Sequence, residues 1–194
     1  MKKLVLVGLL MLQGCATVVP TQFYSLESKQ SPPTPLQKGG LFADKKPLIG
    51  VAQISLPSAL ERKQIVTRDP NGALNLEEQH QWAALLKQNM TEVLAKNLAT
   101  QQPAFWFKAY PWSLLGMVDY RLVIDVTQLD IVLGNAIRFS VDWTILNEKT
   151  HAVLQHGTID LNQPLADEHY ATAVTGLNQL LAQLSVKLNA EFSF

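Results

Sequence analysis

Between Asp119 and Leu161 the side chains alternate in three successive runs, and that alternation limits the fold more than any other feature. A period of two belongs to strands with one buried face, because successive side chains point to opposite sides of a sheet. Tyr120, Leu122, Ile124 and Val126 form the apolar set of the first run, against Asp119, Arg121, Val123 and Asp125. Leu129, Ile131 and Leu133 continue it with the parity reversed, which predicts a β-bulge near Thr127-Gln128. Beyond Gly134-Asn135, the set Ile137, Phe139, Val141, Trp143 and Ile145 faces away from Arg138, Ser140, Asp142 and Thr144. Asn147 to Thr150 then turns the chain into a third strand over residues 152–161. The three runs predict an antiparallel meander with one solvated face.

A meander of this kind needs a cover for its apolar side, and two helical stretches supply it. Trp82, Leu85, Leu86, Met90, Val93, Leu94 and Leu98 follow a period near 3.6, and Pro103 stops the stretch. The second covers residues 167–190, where Tyr170, Val174, Leu177, Leu181, Leu184 and Leu188 share a face. Asp167 and Glu168 at its start suit the positive end of the helix dipole. Further strands are expected at 22–27, at 48–56 (buried on both faces) and at 105–110. Residues 63–68 and 73–76 read as a hairpin, with Asn71-Gly72 supplying residues of positive φ. Six to eight strands and two long helices make an α/β class with a mixed sheet.

The start of the chain has another character. Met1-Lys2-Lys3 precedes the apolar run Leu4 to Leu12, the layout of a secretory signal peptide. As a helix that run would span roughly 14 Å, half of a ~30 Å hydrocarbon core, so it is too short to cross alone. Leu12-Gln13-Gly14-Cys15 closes it and resembles the lipobox of bacterial lipoproteins, in which the thiol takes a diacylglycerol and the chain is cut just before the cysteine. Cys15 is the sole cysteine, so it makes neither an internal disulfide nor a multi-cysteine metal site. The expected organisation is a signal peptide over 1–14, a lipidated tether over 15–22 and one periplasmic domain over 23–194. Ala16, rather than Asp, follows the cysteine, and by the lipoprotein sorting pattern this favours the outer membrane. A segment rich in proline, glycine and lysine, from Ser28 to Pro47, reads as a solvated loop.

Composition excludes some partners. The chain carries 16 basic and 16 acidic side chains, and loss of Lys2 and Lys3 with the leader leaves a small acidic excess. No basic surplus exists to neutralise phosphates, so no nucleic acid is expected as a partner. His80, His151, His156 and His169 have no metal-ligand spacing and read as surface residues, so no metal is expected. Neither a nucleophile elbow nor a glycine-rich phosphate loop is present. The expectation is no enzyme, no catalytic residue and no cofactor beyond a covalent lipid on Cys15.

Several stretches, in order, resemble the PqiC family, auxiliary lipoproteins of MCE-type and ABC-type transport systems. They are Phe23-Tyr24-Ser25-Leu26, then Ile49-Gly50-Val51 leading to Leu56-Pro57, and residues 60–68. Trp82-Ala83 entering a helix that ends at Leu98, Tyr110-Pro111-Trp112 and Asp119-Tyr120-Arg121-Leu122 complete the set. The resemblance implies an α/β fold like the anticodon-binding-domain and TolB N-terminal group, a mixed sheet with helices packed on it. It also implies an outer-membrane lipoprotein facing the periplasm, working with an inner-membrane MCE protein whose tube carries lipids and helping maintain membrane integrity. Self-association into a homo-oligomeric ring that receives the tube's tip is a further implication.

Two patches are candidates for partner contact. Phe105, Trp106, Phe107, Tyr110 and Trp112 form the densest aromatic cluster, followed by Leu114 and Leu115. Phe105 and Phe107 read as core residues beneath a helix, whereas Trp106, Trp112, Leu114 and Leu115 are divided between core and a rim that meets a partner. Glu61 and Arg62, leading into a strand, read as a solvated edge or as a docking point. Function then divides three ways. A docking accessory needs an exposed surface, a lipid shuttle needs an apolar cavity for a tail, and a periplasmic hydrolase needs a catalytic cluster.

Overall fold

A computed structural model describes residues 20–28, 46–112 and 116–192. Cys15, Leu114 and Leu115 lie outside them, as does most of the expected 28–47 loop. The meander forms as its alternation requires. β6 (Tyr120–Val132), β7 (Ala136–Asn147) and β8 (Val153–Pro164) pair antiparallel. The register slips between Val126 and Gln128, placing the bulge at the parity change. All five residues of the inward set of β7 are buried.

The other strands divide into two sheets, where a single mixed sheet was expected. β2 (Leu48–Val51) lies between β6 and β5 (Trp106–Ala109) and is parallel to both. The five-stranded order is β5-β2-β6-β7-β8. A second sheet, ordered β1-β4-β3, contains β1 (Gln22–Tyr24), β3 (Gln64–Arg68) and β4 (Leu74–Trp82). The hairpin joining β3 to β4 has Gly72 at φ 93°, while Asn71 keeps a negative φ, unlike the expected pair of positive-φ residues. Its loop closes instead through the Asp69 carboxylate, which accepts from the Ala73 N–H at 2.8 Å.

Trp82 corrects the helix boundary. It ends β4, and α1 runs from Leu86 to Gln101. α2 spans Tyr170–Asn189, and Asp167 precedes it, accepting from the His169 N–H at 2.9 Å. Both helices pack on one face of the five-stranded sheet, over a core that includes Ile49, Val51, Leu122, Ile124, Phe139, Leu94, Leu98, Leu177 and Leu181. Each such side chain contributes about 1.5–3 kcal/mol on burial. The opposite face of the sheet carries Lys108, Arg121, Asp142 and Thr158, with Thr158 donating to Asp142 at 2.6 Å. Among the described residues no helix is long and apolar enough to cross a membrane.

Between the helices lies the strap leading from β1. The Asn89 side-chain oxygen accepts from the Leu26 N–H at 2.6 Å, and the Asn178 oxygen from the Glu27 N–H at 3.0 Å. Ser28 donates to the Asn97 side chain at 2.6 Å. Leu26 is buried at this junction. Asn89 and Thr91 are about 200° apart round α1. Thr91 accepts from the Ile54 N–H just beyond β2, so the strap occupies the side of α1 away from the sheet.

Candidate functional site

β5 is an edge strand, and its alternation decides what it buries. Phe107 and Ala109 share the inward face with Ile49 and Val51. Phe105 and Phe107 close on Phe192 beyond the end of α2, with ring centroids 5.9 and 5.3 Å away. These two phenylalanines are core partners, as their spacing suggested. Trp106, Lys108 and Tyr110 take the other parity and point to the outer face. Trp106 is 52% and Tyr110 51% exposed, and Met117, on the returning segment, is 81% exposed.

Trp112 behaves differently from Trp106. A Cβ at Gly50 would stand 3.1 Å from Trp112 Cε3 and 3.1 Å from Val118 Cγ1, so the indole lies directly on the β2 backbone. It meets Tyr110 edge-on, at 5.4 Å between centroids and 87° between planes. Trp112 therefore covers the outer face of β2 and supports Tyr110, while Trp106 is free to meet a partner. Tyr110, part of the aromatic cluster read from sequence, and Met117 belong to the same row, though neither was among the residues assigned there to a partner contact. The proline after Tyr110 was the available signal, since it ends the strand with that ring still on the outer parity.

Glu61 and Arg62 follow a one-turn 3₁₀ helix, Ser58–Leu60. Glu61 is paired with Lys87 at 2.9 Å, and both Arg62 and Leu85 are exposed. A cleft of about 130 Å³ lies between them, lined also by Leu56 and Leu60. This patch is at the N-terminal end of α1, whereas Trp106 lies past its C-terminal end, roughly 24 Å along the axis. The structure keeps the two patches apart.

A second cleft, about 200 Å³, lies between β3 and the bulged part of β6. Arg68 pairs with Asp130 across it at 2.7 Å, and Gln128 donates to the same carboxylate at 2.6 Å. Burial alone would raise the Asp130 carboxyl. Hydrogen bonds from Gln128 and Arg68, with the charges of Arg68 and Arg138, outweigh burial and hold it below the usual aspartate range. The pair fastens one sheet to the other.

His80 departs from its expected surface role. Its ring stacks on Tyr170 at 3.9 Å and 10°, and its Nδ1 is 2.9 Å from the Tyr24 hydroxyl. Burial raises the hydroxyl pKa of both tyrosines. The stack pins β1 to the start of α2, a structural use of the imidazole. Among the described residues, no three His, Cys, Asp or Glu side chains are grouped to hold a metal ion.

The sequence profile of the ABC-type transport auxiliary lipoprotein component matches residues 24–189. The chain belongs to this family of transport auxiliary lipoproteins. Its fold agrees with solved structures. The crystal structure of an uncharacterized protein superposes with a TM-score of 0.72 at 20% identity, over 90% of this chain and 100% of that one. A protein from Xanthomonas campestris gives 0.66 at 17% identity, over 87% and 93%. A search of curated proteins found no match.

Proposed function

We propose that this auxiliary lipoprotein is held in the outer membrane by acyl chains on Cys15 and docks the periplasmic part of an MCE-type lipid transporter. The family match over residues 24–189 carries the reading. The leader over 1–14 and the tether over 15–22 supply the anchor, and the body from residue 23 onward presents the contact surface. Two or more acyl chains give stable anchoring, each buried methylene contributing about 0.8 kcal/mol. Tethering also raises the effective concentration of the body near a transporter fixed opposite. Chemistry at the site is contact rather than catalysis, and no cofactor is required. Assembly of several copies into a ring belongs to the same proposal.

A lipid shuttle would need a pocket for an acyl tail. Among the described residues, the two clefts above are smaller than the roughly 300 Å³ at which ligand pockets begin, so neither has the size for an acyl tail. The test is Cys15→Ser. The variant is expected to fold as the parent does, by circular dichroism, and to move from the membrane fraction to the soluble periplasmic fraction. Retention of the variant in the outer membrane would sink the anchor.

A further inference from the structure

The two sheets leave four strand edges, and three of them are short or fastened. β1 has three residues and β5 four, and β3 is tied to β6 by the Arg68–Asp130 pair. β8 is different. It has 12 residues, and among the described residues it pairs only with β7. Natural edges are blunted by lysine, proline, a bulge or brevity. From Gln155 to Gln163 this one has no lysine and no proline, and its register with β7 is unbroken.

The phase of its free backbone groups follows from one bond. The Leu165 N–H donates to the Asn135 carbonyl at 2.8 Å, just past the pair Ala136 and Pro164. Bonded pairs alternate along an antiparallel ladder, so Gln155, Gly157, Ile159, Leu161 and Gln163 turn their backbone groups to β7. His156, Thr158, Asp160 and Asn162 turn their N–H and C=O groups away from the sheet. Their side chains share the outer face with Asp142, and all four are exposed.

Such an edge is completed by a strand whose free groups fall in the same phase, and β8 itself is one. An antiparallel second copy, turned about a twofold axis through Thr158, sets Thr158 against Thr158. His156 then stands opposite Asp160 of the second copy, and the symmetry makes that pair twice. In each pair an imidazole N–H can donate to the facing carboxylate. Other registers that keep the hydrogen-bond phase lose this match. An axis through His156 or Asp160 opposes two imidazoles or two carboxylates, and one through Gly157 or Ile159 sets Asp160 against Leu154 or Thr158. On the helix side, the Thr158 axis places Ile159 of the second copy opposite Gly157. The Trp143 indole already lies on that glycine, 3.2 Å from where a Cβ would stand, and offers an apolar surface.

We propose that β8 is a self-association edge: two copies of this chain pair antiparallel along residues 154–162, with Thr158 at the twofold axis and His156 facing Asp160 across it. The two five-stranded sheets then continue as one. This goes beyond the docking reading and does not rest on the anchor at Cys15. The pair closes at two copies, so a ring would need a further, head-to-tail contact. Pairing leaves β5, at the far edge of the sheet, open.

The test reads the register directly. Full-length protein in mild detergent carries one added cysteine and is oxidised with copper phenanthroline. Linked peptides are identified by mass spectrometry, which separates them from any product of Cys15. Facing Cα atoms in a bonded antiparallel pair are about 5.5 Å apart, within the reach of a disulfide. Thr158→Cys is expected to link to its own copy. His156→Cys or Asp160→Cys alone should link at least about fivefold less, and a mixture of the two should give the 156–160 product. Absence of the 158 product, a 158 adduct to another protein, or stronger linking at 156 or 160 alone would each overturn the proposal. Charge gives a second measurement. With Thr158→Cys present, His156→Asp opposes two carboxylates and should lower the yield at least about fivefold. Adding Asp160→His restores the match in exchanged order and should return the yield to within about twofold of the start. A yield that ignores both changes would also overturn it. These side chains are exposed, and circular dichroism is expected to match the parent throughout.

Discussion

At the scale of single residues, parity was the reliable signal and long-range pairing was not. Ile137 through Ile145 could be assigned to the core from alternation alone, because burial follows directly from which side of a strand a residue occupies. The same rule separated Phe107 from Trp106 once the strand was placed. Arg68 and Asp130 are 62 residues apart, and no local pattern announces that they meet. Their contact has a pH signature. Asp130 titrates below the ordinary aspartate value of about 3.9. The unfolded chain therefore takes up its proton first as pH falls. The stabilisation is complete above about pH 3.9 and is lost as pH falls through the lower folded value. Arg68 is partly exposed, so screening keeps the contribution near 1 kcal/mol. Asp130→Asn should lower stability by about that amount at pH 7 in urea titrations. The gap from the parent should narrow between pH 4 and pH 3. A gap unchanged over that range would show that the carboxylate charge has no part in holding the sheets together.

Elements with one buried face were legible, and elements outside that pattern were not. β4 continues through Glu77-Glu78-Gln79-His80-Gln81, a sequence poor in strand formers, because it is the central strand of a small and largely exposed sheet. Helix α1 begins after Ala83-Ala84-Leu85 with no side-chain cap, so nothing in the sequence marked its start. Its burial is also two-sided, against the sheet and against the strap and α2, and this places Thr91 and Asn97 in the interior. Thr91 earns its burial by accepting from the Ile54 N–H at 3.0 Å, just where the chain leaves β2. Thr91→Val keeps the shape and removes the acceptor. Leaving that amide unpaired should cost about 1–3 kcal/mol, read as a lower urea midpoint with an unchanged slope. A variant as stable as the parent would mean that the Ile54 amide finds another partner.

For the molecule as a whole, the class and the two helices follow from periodicity, whereas the division into two sheets depends on contacts far apart in sequence. β1 pairs with β4 and β3 lies against β6, so the segment next to the tether is joined to the body late in the chain's own order. Leu26 is the apolar plug of that joint, with Asn89 and Asn178 holding the backbone on either side. Coming from Cys15, the chain meets the body first at β1, which pairs with β4, and this strap is the second fastening. Leu26→Ala removes a buried side chain, and substitutions of this kind cost about 2–5 kcal/mol where the cavity cannot close. The joint is peripheral to the meander, so the loss should be local before it is global. Hydrogen exchange is expected to rise by at least tenfold at the Leu26 and Glu27 amides, while the β6–β7 amides keep their protection at low denaturant. A uniform rise across both regions would instead make the strap part of the cooperative core.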